Sequence, residues 1–184
     1  MFPSPFKCKV ICTGGFPRYN SQPTTGKSSG IHQGRDFVPV NENKEVNWYL
    51  YSPVNGKIVK KRSWKVNYDG AYGNYVVIQQ ENKGYWIVMA HLLEPVKLSV
   101  GATVKAGDLV GIAGNTGNSS GRHLHIEVWD RCGVDWPNGW WDESKYRVDP
   151  IKLIDFDSVA TTYTNVGTDQ QTYPDYSKTI FVVK

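Results

Sequence analysis

The residues best suited to chemistry are four histidines and one aspartate, gathered in three short stretches. His123-Leu124-His125 lies in a run of strand character, Arg122–Trp129. Successive strand side chains point to opposite faces, so the two imidazoles share one face and Leu124 points to the other. In His32-Gln33-Gly34-Arg35-Asp36 a carboxylate follows an imidazole by four positions. Gly30 and Gly34 argue for a strand entry or bend there, and residues four apart again share a strand face. His91 ends the apolar run Val88-Met89-Ala90-His91-Leu92, a place where a histidine is ordinarily satisfied by packing.

Neutral imidazole nitrogens and carboxylate oxygens both suit zinc, at about 2.0–2.2 Å. A His, Asp, His set supplies three ligands and leaves a fourth position open, the arrangement of a catalytic zinc site and not of a closed structural one. Two further histidines then remain to handle protons. No H-E-x-x-H stretch is present, so a helical glutamate base is absent and histidine is the natural general base.

The elements that must position these groups read as strands. Runs rich in Val, Ile, Tyr and Trp predict strands over Lys9–Thr13, Trp48–Tyr51, Gly56–Arg62, Tyr75–Gln80, Tyr85–His91, Leu109–Ala113 and His123–Trp129. Asn55-Gly56, Asp69-Gly70, Asn82-Lys83-Gly84 and Asn115-Thr116-Gly117 supply turn residues between them. No window of ten residues has helical periodicity with caps, and at most a turn of helix is expected within Asp142–Leu153. The predicted class is all-β, an antiparallel sheet with a barrel-sandwich-like core. Two long loops, Pro17–Gly30 and the Trp-rich Arg131–Arg147, are expected to wall a groove. A domain over residues 1–154 is expected, followed by a polar extension or linker over 155–184.

With 184 residues the chain is long enough for one domain with a buried core. Its 40% apolar and 21% charged residues exclude disorder of the low-hydropathy, high-charge type. No apolar run is long enough to span a bilayer, and Met1–Phe16 lacks the pattern of a signal peptide. The net charge of +4 is mild. Lys57, Lys60, Lys61, Arg62 and Lys65 form either a solvated strand face or a strip for an anionic polymer. Cys8, Cys12 and Cys132 contain no C-x-x-C, and buried free thiols fit better than a disulfide framework.

Gly30-Ile31-His32-Gln33-Gly34-Arg35-Asp36 and Gly121-Arg122-His123-Leu124-His125-Ile126-Glu127-Val128 resemble the two signature motifs of the M23 family, the lysostaphin-type or LytM-like zinc peptidoglycan endopeptidases. The likeness extends to Thr13–Arg18, Ser52–Val59, Tyr72–Ile78, Ala90-His91-Leu92 and Val100–Gly111, in the family's order from about Cys12 to Ile154.

The resemblance implies a LytM-like fold with one Zn2+ per chain, held by His32, Asp36 and His125. His91 and His123 are then the catalytic histidines. His91 is expected to stabilise the oxyanion and His123 to act as general base and acid, without the sequence deciding between them. Asn74 either binds the substrate backbone or stabilises a turn. Glu127 either orients a ligand imidazole or pairs with a cation such as Arg35. The implied partner is bacterial peptidoglycan, with no nucleic acid, no membrane insertion and a monomeric state. The implied setting is the bacterial cell wall, reached by a phage-encoded or excised lytic protein without its own signal peptide. A non-catalytic, metal-free M23-like binding or regulatory module is the alternative. The hairpins Ser52–Val59 and Gly101–Gly111 also resemble those of biotinyl and lipoyl carriers, but the tip Asn115-Thr116-Gly117-Asn118 offers no lysine.

Overall fold

The computed structural model describes residues 1–14, 18–19, 31–39, 47–63, 71–82, 84–130, 146–156 and 161–162. The strands are β1 Phe2–Pro3, β2 Val10–Gly14, β3 Arg18–Tyr19, β4 Ile31–His32, β5 Arg35–Pro39, β6 Tyr49–Tyr51, β7 Gly56–Arg62, β8 Asn74–Gln80, β9 Tyr85–Leu92, β10 Thr103–Val104, β11 Leu109–Ile112, β12 Leu124–Asp130, β13 Arg147–Val148, β14 Ile154–Asp155 and β15 Thr161–Thr162. Helical geometry among the described residues is confined to 3-10 turns, at Tyr146 and over Pro150–Lys152, the latter capped by the Asp149 side chain. The all-β class follows.

One sheet runs in the order β10-β7-β8-β9-β12-β5-β2-β15, with β13 also on β12. Its pairs are antiparallel except β15 with β2. A separate parallel pair, β1 with β14, ties the start of the chain to Ile154–Asp155. Among the described residues the sheet is open, with no closed barrel. The long-range antiparallel pair β6–β11 gives the sandwich character, because Leu50 and Val110 join the same core as Ile58, Ile78 and Ile87.

The central strands β8, β9 and β12 are buried on both faces. One face carries Val76, Ile78, Ile87, Met89, Leu124, Ile126 and Val128 into the main core. The other carries Tyr75, Val77, Trp86, Val88, Ala90 and Trp129. Each fully buried aliphatic side chain contributes about 1.5–3 kcal/mol. A one-residue slip would exchange the two faces wholesale, so the register is strongly set. Packing continues past Ile154, since Phe156 is buried and stacks on Phe37 at 4.1 Å between ring centroids.

The Pro17–Gly30 loop, apart from Arg18–Tyr19, and residues 131–145 lie outside the described residues, so the expected groove walls do too, with Trp136, Trp140, Trp141 and Cys132. Cys8 and Cys12 are free thiols, Cys12 buried and Cys8 half-buried.

Candidate metal centre

Strand register does most of the positioning. Asp36 of β5 is the direct ladder partner of His125 on β12, and Gly14 of β2 lies opposite Asp36 on its other side. His32 reaches the same place from β4, the short strand before β5. The turn between them needs Gly34. A Cβ there would collide with the Ile126 carbonyl oxygen and crowd the His125 ring. Gly14 is likewise required, because a Cβ would strike the Asp36 carboxylate.

Three ligand atoms converge as a result. His32 Nε2 is 3.0 Å from Asp36 Oδ1 and 3.1 Å from His125 Nδ1, and His125 Nδ1 is 2.8 Å from Asp36 Oδ1. The cluster His32, Asp36, His125 has the composition to hold a metal ion. His125 Nε2 donates to Glu127 Oε1 at 3.0 Å, which leaves Nδ1 as the nitrogen aimed at the cluster. A ligand histidine whose other ring nitrogen is committed to a carboxylate is the usual companion of zinc. The donor set therefore fits a zinc ion.

The electrostatics point the same way. Burial alone would raise the Asp36 carboxyl, but the His32 and His125 imidazoles hold it well below the usual carboxylate range. Burial opposes charge on His125, yet its hydrogen bonds to Asp36 and Glu127 raise it to about 10. Two carboxylates thus make a field that favours positive charge at Nδ1, whether a proton or a cation. Burial would also raise Glu127, and its hydrogen bond with His125 instead lowers it.

His91 and His123 flank the cluster, their ring centroids 4.8 Å apart, with His91 5.8 Å from His125. His123 Nε2 is 3.6 Å from Asp36 Oδ1. Strict alternation along β9 would send His91 into the main core with Ile87 and Met89. Between Val76 and Asn74 on β8 the opposite strand runs from Met89 to Leu92, so β9 carries one extra residue. This is a β-bulge, and His91 sits in it with φ of 59°, a conformation uncommon for a non-glycine residue. The bulge re-aims the ring toward the cluster. Such strain persists only where the surroundings enforce it. Here the His91 amide donates to the Tyr72 carbonyl at 2.9 Å, and Nδ1 donates to the Thr116 carbonyl at 2.7 Å. Burial, then the neighbouring His125 and His123 charges, push His91 down to about 4.

Asn74 is 5% exposed, and its Nδ2 donates to the Leu92 carbonyl at 3.1 Å. Its backbone N–H donates to Thr116 Oγ1, which in turn donates to the Leu92 carbonyl. Glu127 faces His125, and the pairing of Glu127 with Arg35 is not formed. Arg35 instead makes a two-pronged ion pair with Asp149, at 2.6 and 2.7 Å. Tyr72 and Thr116 also build the site; both lie in stretches with a sequence signal, Tyr72–Ile78 and Asn115-Thr116-Gly117, but neither is a ligand type that would mark it as a site residue.

The open β sheet thus gathers a His/Asp/His cluster that could hold a metal ion beside two further histidines. Residues 30–137 match Peptidase family M23, and the chain belongs to that family. It is 34% identical over 117 residues to the peptidoglycan DD-endopeptidase ShyB of Vibrio cholerae, covering 63% of this chain and 24% of that protein. The catalytic domain of lysostaphin from Staphylococcus simulans superposes with a TM-score of 0.53 at 27% identity, over 75% of this chain and 86% of that one. A zinc-containing peptidase from Vibrio cholerae superposes at 0.50 with 31% identity, over 68% of this chain and 37% of that one. The chain spans about a quarter of the length of ShyB.

Proposed function

We propose that the chain is a zinc-dependent endopeptidase that hydrolyses peptide bonds in peptidoglycan stem peptides or cross-bridges. The observation that carries this reading is the convergence of His32 Nε2, Asp36 Oδ1 and His125 Nδ1 beside the rings of His91 and His123. The names of ShyB and lysostaphin as peptidoglycan endopeptidase and antimicrobial peptidase support the substrate class.

His32, Asp36 and His125 would hold one zinc ion. When bound, it supplies a Lewis acid that polarises the scissile carbonyl and makes water acidic enough to deprotonate near neutral pH. The chain's own work is proton transfer. His91 Nδ1–H is spent on the Thr116 carbonyl and His123 Nδ1–H on the Gly121 carbonyl at 2.8 Å. Each ring therefore keeps its Nε2 lone pair for the reaction. His91 was expected to donate to an oxyanion, but its hydrogen bonding leaves no N–H for that in the neutral ring. In the neutral form of either ring, Nε2 is the acceptor. His123 is the less buried of the two, so water and a departing amine reach it more readily. We assign it the general-base step and the return of that proton to the leaving amine. His91 stands beside it as the second catalytic histidine, an acceptor through Nε2 in its neutral ring.

The setting proposed is the bacterial cell wall, reached by a phage-encoded protein or as a module of a larger lytic protein. Among the described residues, no helix is long and apolar enough to cross a membrane.

Digesting purified peptidoglycans of different cross-bridge and sequencing the released ends by mass spectrometry tests the reading. New amino termini at one bond type are expected. A purified protein that carries no zinc and releases no ends would establish the non-catalytic module instead.

A further inference from the structure

We propose that Tyr72 is a positioning residue of the metal centre, acting through Glu127 on His125 and tying that half of the site to His91. The inference rests on the reading of His32, Asp36 and His125 as zinc ligands.

Glu127 is 1% exposed, in the middle of the sheet, with Val88 as its ladder partner. A buried carboxylate is tolerated only where donors satisfy it. Three do. Tyr72 Oη donates to Oε1 at 2.5 Å, His125 Nε2 donates to the same oxygen at 3.0 Å, and Trp129 Nε1 donates to Oε2 at 2.6 Å. The ionised carboxylate is acceptor-only, so the phenol must be the donor. Trp129 on one oxygen and Tyr72 on the other set the carboxylate plane, and Oε1 is left facing His125.

That orientation has a consequence at the cluster. As a metal ligand the His125 imidazole must be neutral, and a neutral imidazole carries one N–H. With Oε1 presented to Nε2, the proton stays there and the Nδ1 lone pair faces His32 and Asp36. Remove the phenol, and Oε1 is held only by the group it is meant to orient. The Glu127 side chain then gains rotational freedom, and His125 loses its fixed ring angle.

Tyr72 also acts on the second half of the site. Its carbonyl accepts the His91 amide inside the β9 bulge, while its neighbour Ala71 accepts the Asn118 amide at 3.1 Å. One residue thus braces the bulge with its backbone and the ligand strand with its side chain. Tyr72 and Glu127 are far apart in sequence, and only the β8–β9–β12 pairing brings them together.

The test is zinc affinity, measured on metal-stripped full-length protein by competition with a chromophoric chelator. Wild type should bind one zinc per chain. Y72F should bind about tenfold more weakly, the lower end of the loss seen when outer-shell partners of metal ligands are removed. In an E127Q background, Y72F should cost no further affinity, because contacts in one network are not additive. A merely structural tyrosine would weaken binding equally in both backgrounds. W129F, which removes the donor on the other carboxylate oxygen, is the second variant and should also be non-additive with E127Q. The His125 Nε2–H resonance, read by 1H–15N NMR of the zinc form, should move in Y72F and stay in the exposed control Y49F. Wild-type affinity in Y72F, or losses that multiply across the cycle, would overturn the positioning role while leaving the metal site intact. A wild-type protein that takes up no zinc would overturn the metal reading itself.

Discussion

Asp36 and His125 face each other as register partners across the β5–β12 ladder, with Oδ1 and Nδ1 2.8 Å apart. They are 89 residues apart in the chain. A pair of hydrogen-bonded strands therefore sets the spacing of two proposed ligands, and the short β4 brings in the third. Backbone pairing positions the site more rigidly than a loop would.

His123→Ala should lower amine release from cell walls by about 10²–10⁴-fold, the usual contribution of a general base. Zinc content should stay at the wild-type level, because this ring is not in the ligand cluster. Metal analysis and amine release on one preparation separate the two effects. Full activity would remove His123 from the mechanism.

Gly34→Ala should destabilise the fold. The added methyl meets the Ile126 carbonyl oxygen, which belongs to the ladder and cannot move aside cheaply. Overpacking of this kind costs about 1–3 kcal/mol. Urea unfolding should show a lower midpoint, with weaker zinc binding from the displaced His125 ring. An unchanged midpoint would mean that the β5–β12 contact is looser than described.

Arg35→Met should cost on the order of 3 kcal/mol, since it strands the largely buried Asp149 carboxylate. At roughly 2–4 °C per kcal/mol for a chain of this size, the melting temperature should fall by about 6–12 °C. Lys97→Ala breaks an ion pair whose side chains are 88% and 52% exposed, and should leave the melting temperature in place.

Cys12 supplies a pH dependence. Burial raises its thiol from 9.0 to about 11. Between those values the unfolded chain has lost the proton and the folded chain keeps it, so the folded state binds more protons and stability falls as pH rises. The contribution is present in full below pH 9 and disappears by about pH 11, with an upper size of about 2–3 kcal/mol. Denaturant midpoints of wild type and C12A, compared at pH 8 and pH 11, should converge at the higher pH. A constant difference would place Cys12 in a more polar setting.

Much of this was legible in the sequence, for a reason that differs by element. β7 was readable to the residue, and β8, β9, β11 and β12 to within one or two, because period-two patterns and turn residues are local signals. The His123/His125 face followed from the same alternation. The two-residue strands β1, β3, β4, β10, β13, β14 and β15 are too short to carry a period. The Arg35–Asp149 pair joins positions 114 residues apart, and no local pattern predicts it over the Arg35–Glu127 alternative. His91 is the most instructive case. Its place at the end of an apolar strand signals packing, and only the bulge, unmarked by any glycine at that position, turns it into the site.

If His32, Asp36 and His125 hold the zinc on which peptide hydrolysis depends, cleavage must follow the metal. The most direct measurement follows new amino groups released from purified peptidoglycan by one preparation, as purified, after chelator stripping, and after adding back one equivalent of zinc, with Asp36→Ala in parallel. Activity should be lost on stripping and restored by zinc in wild type, with neither activity nor tight zinc binding in Asp36→Ala. Cleavage that survives stripping, or an Asp36→Ala protein that binds zinc as tightly as wild type, would contradict this assignment.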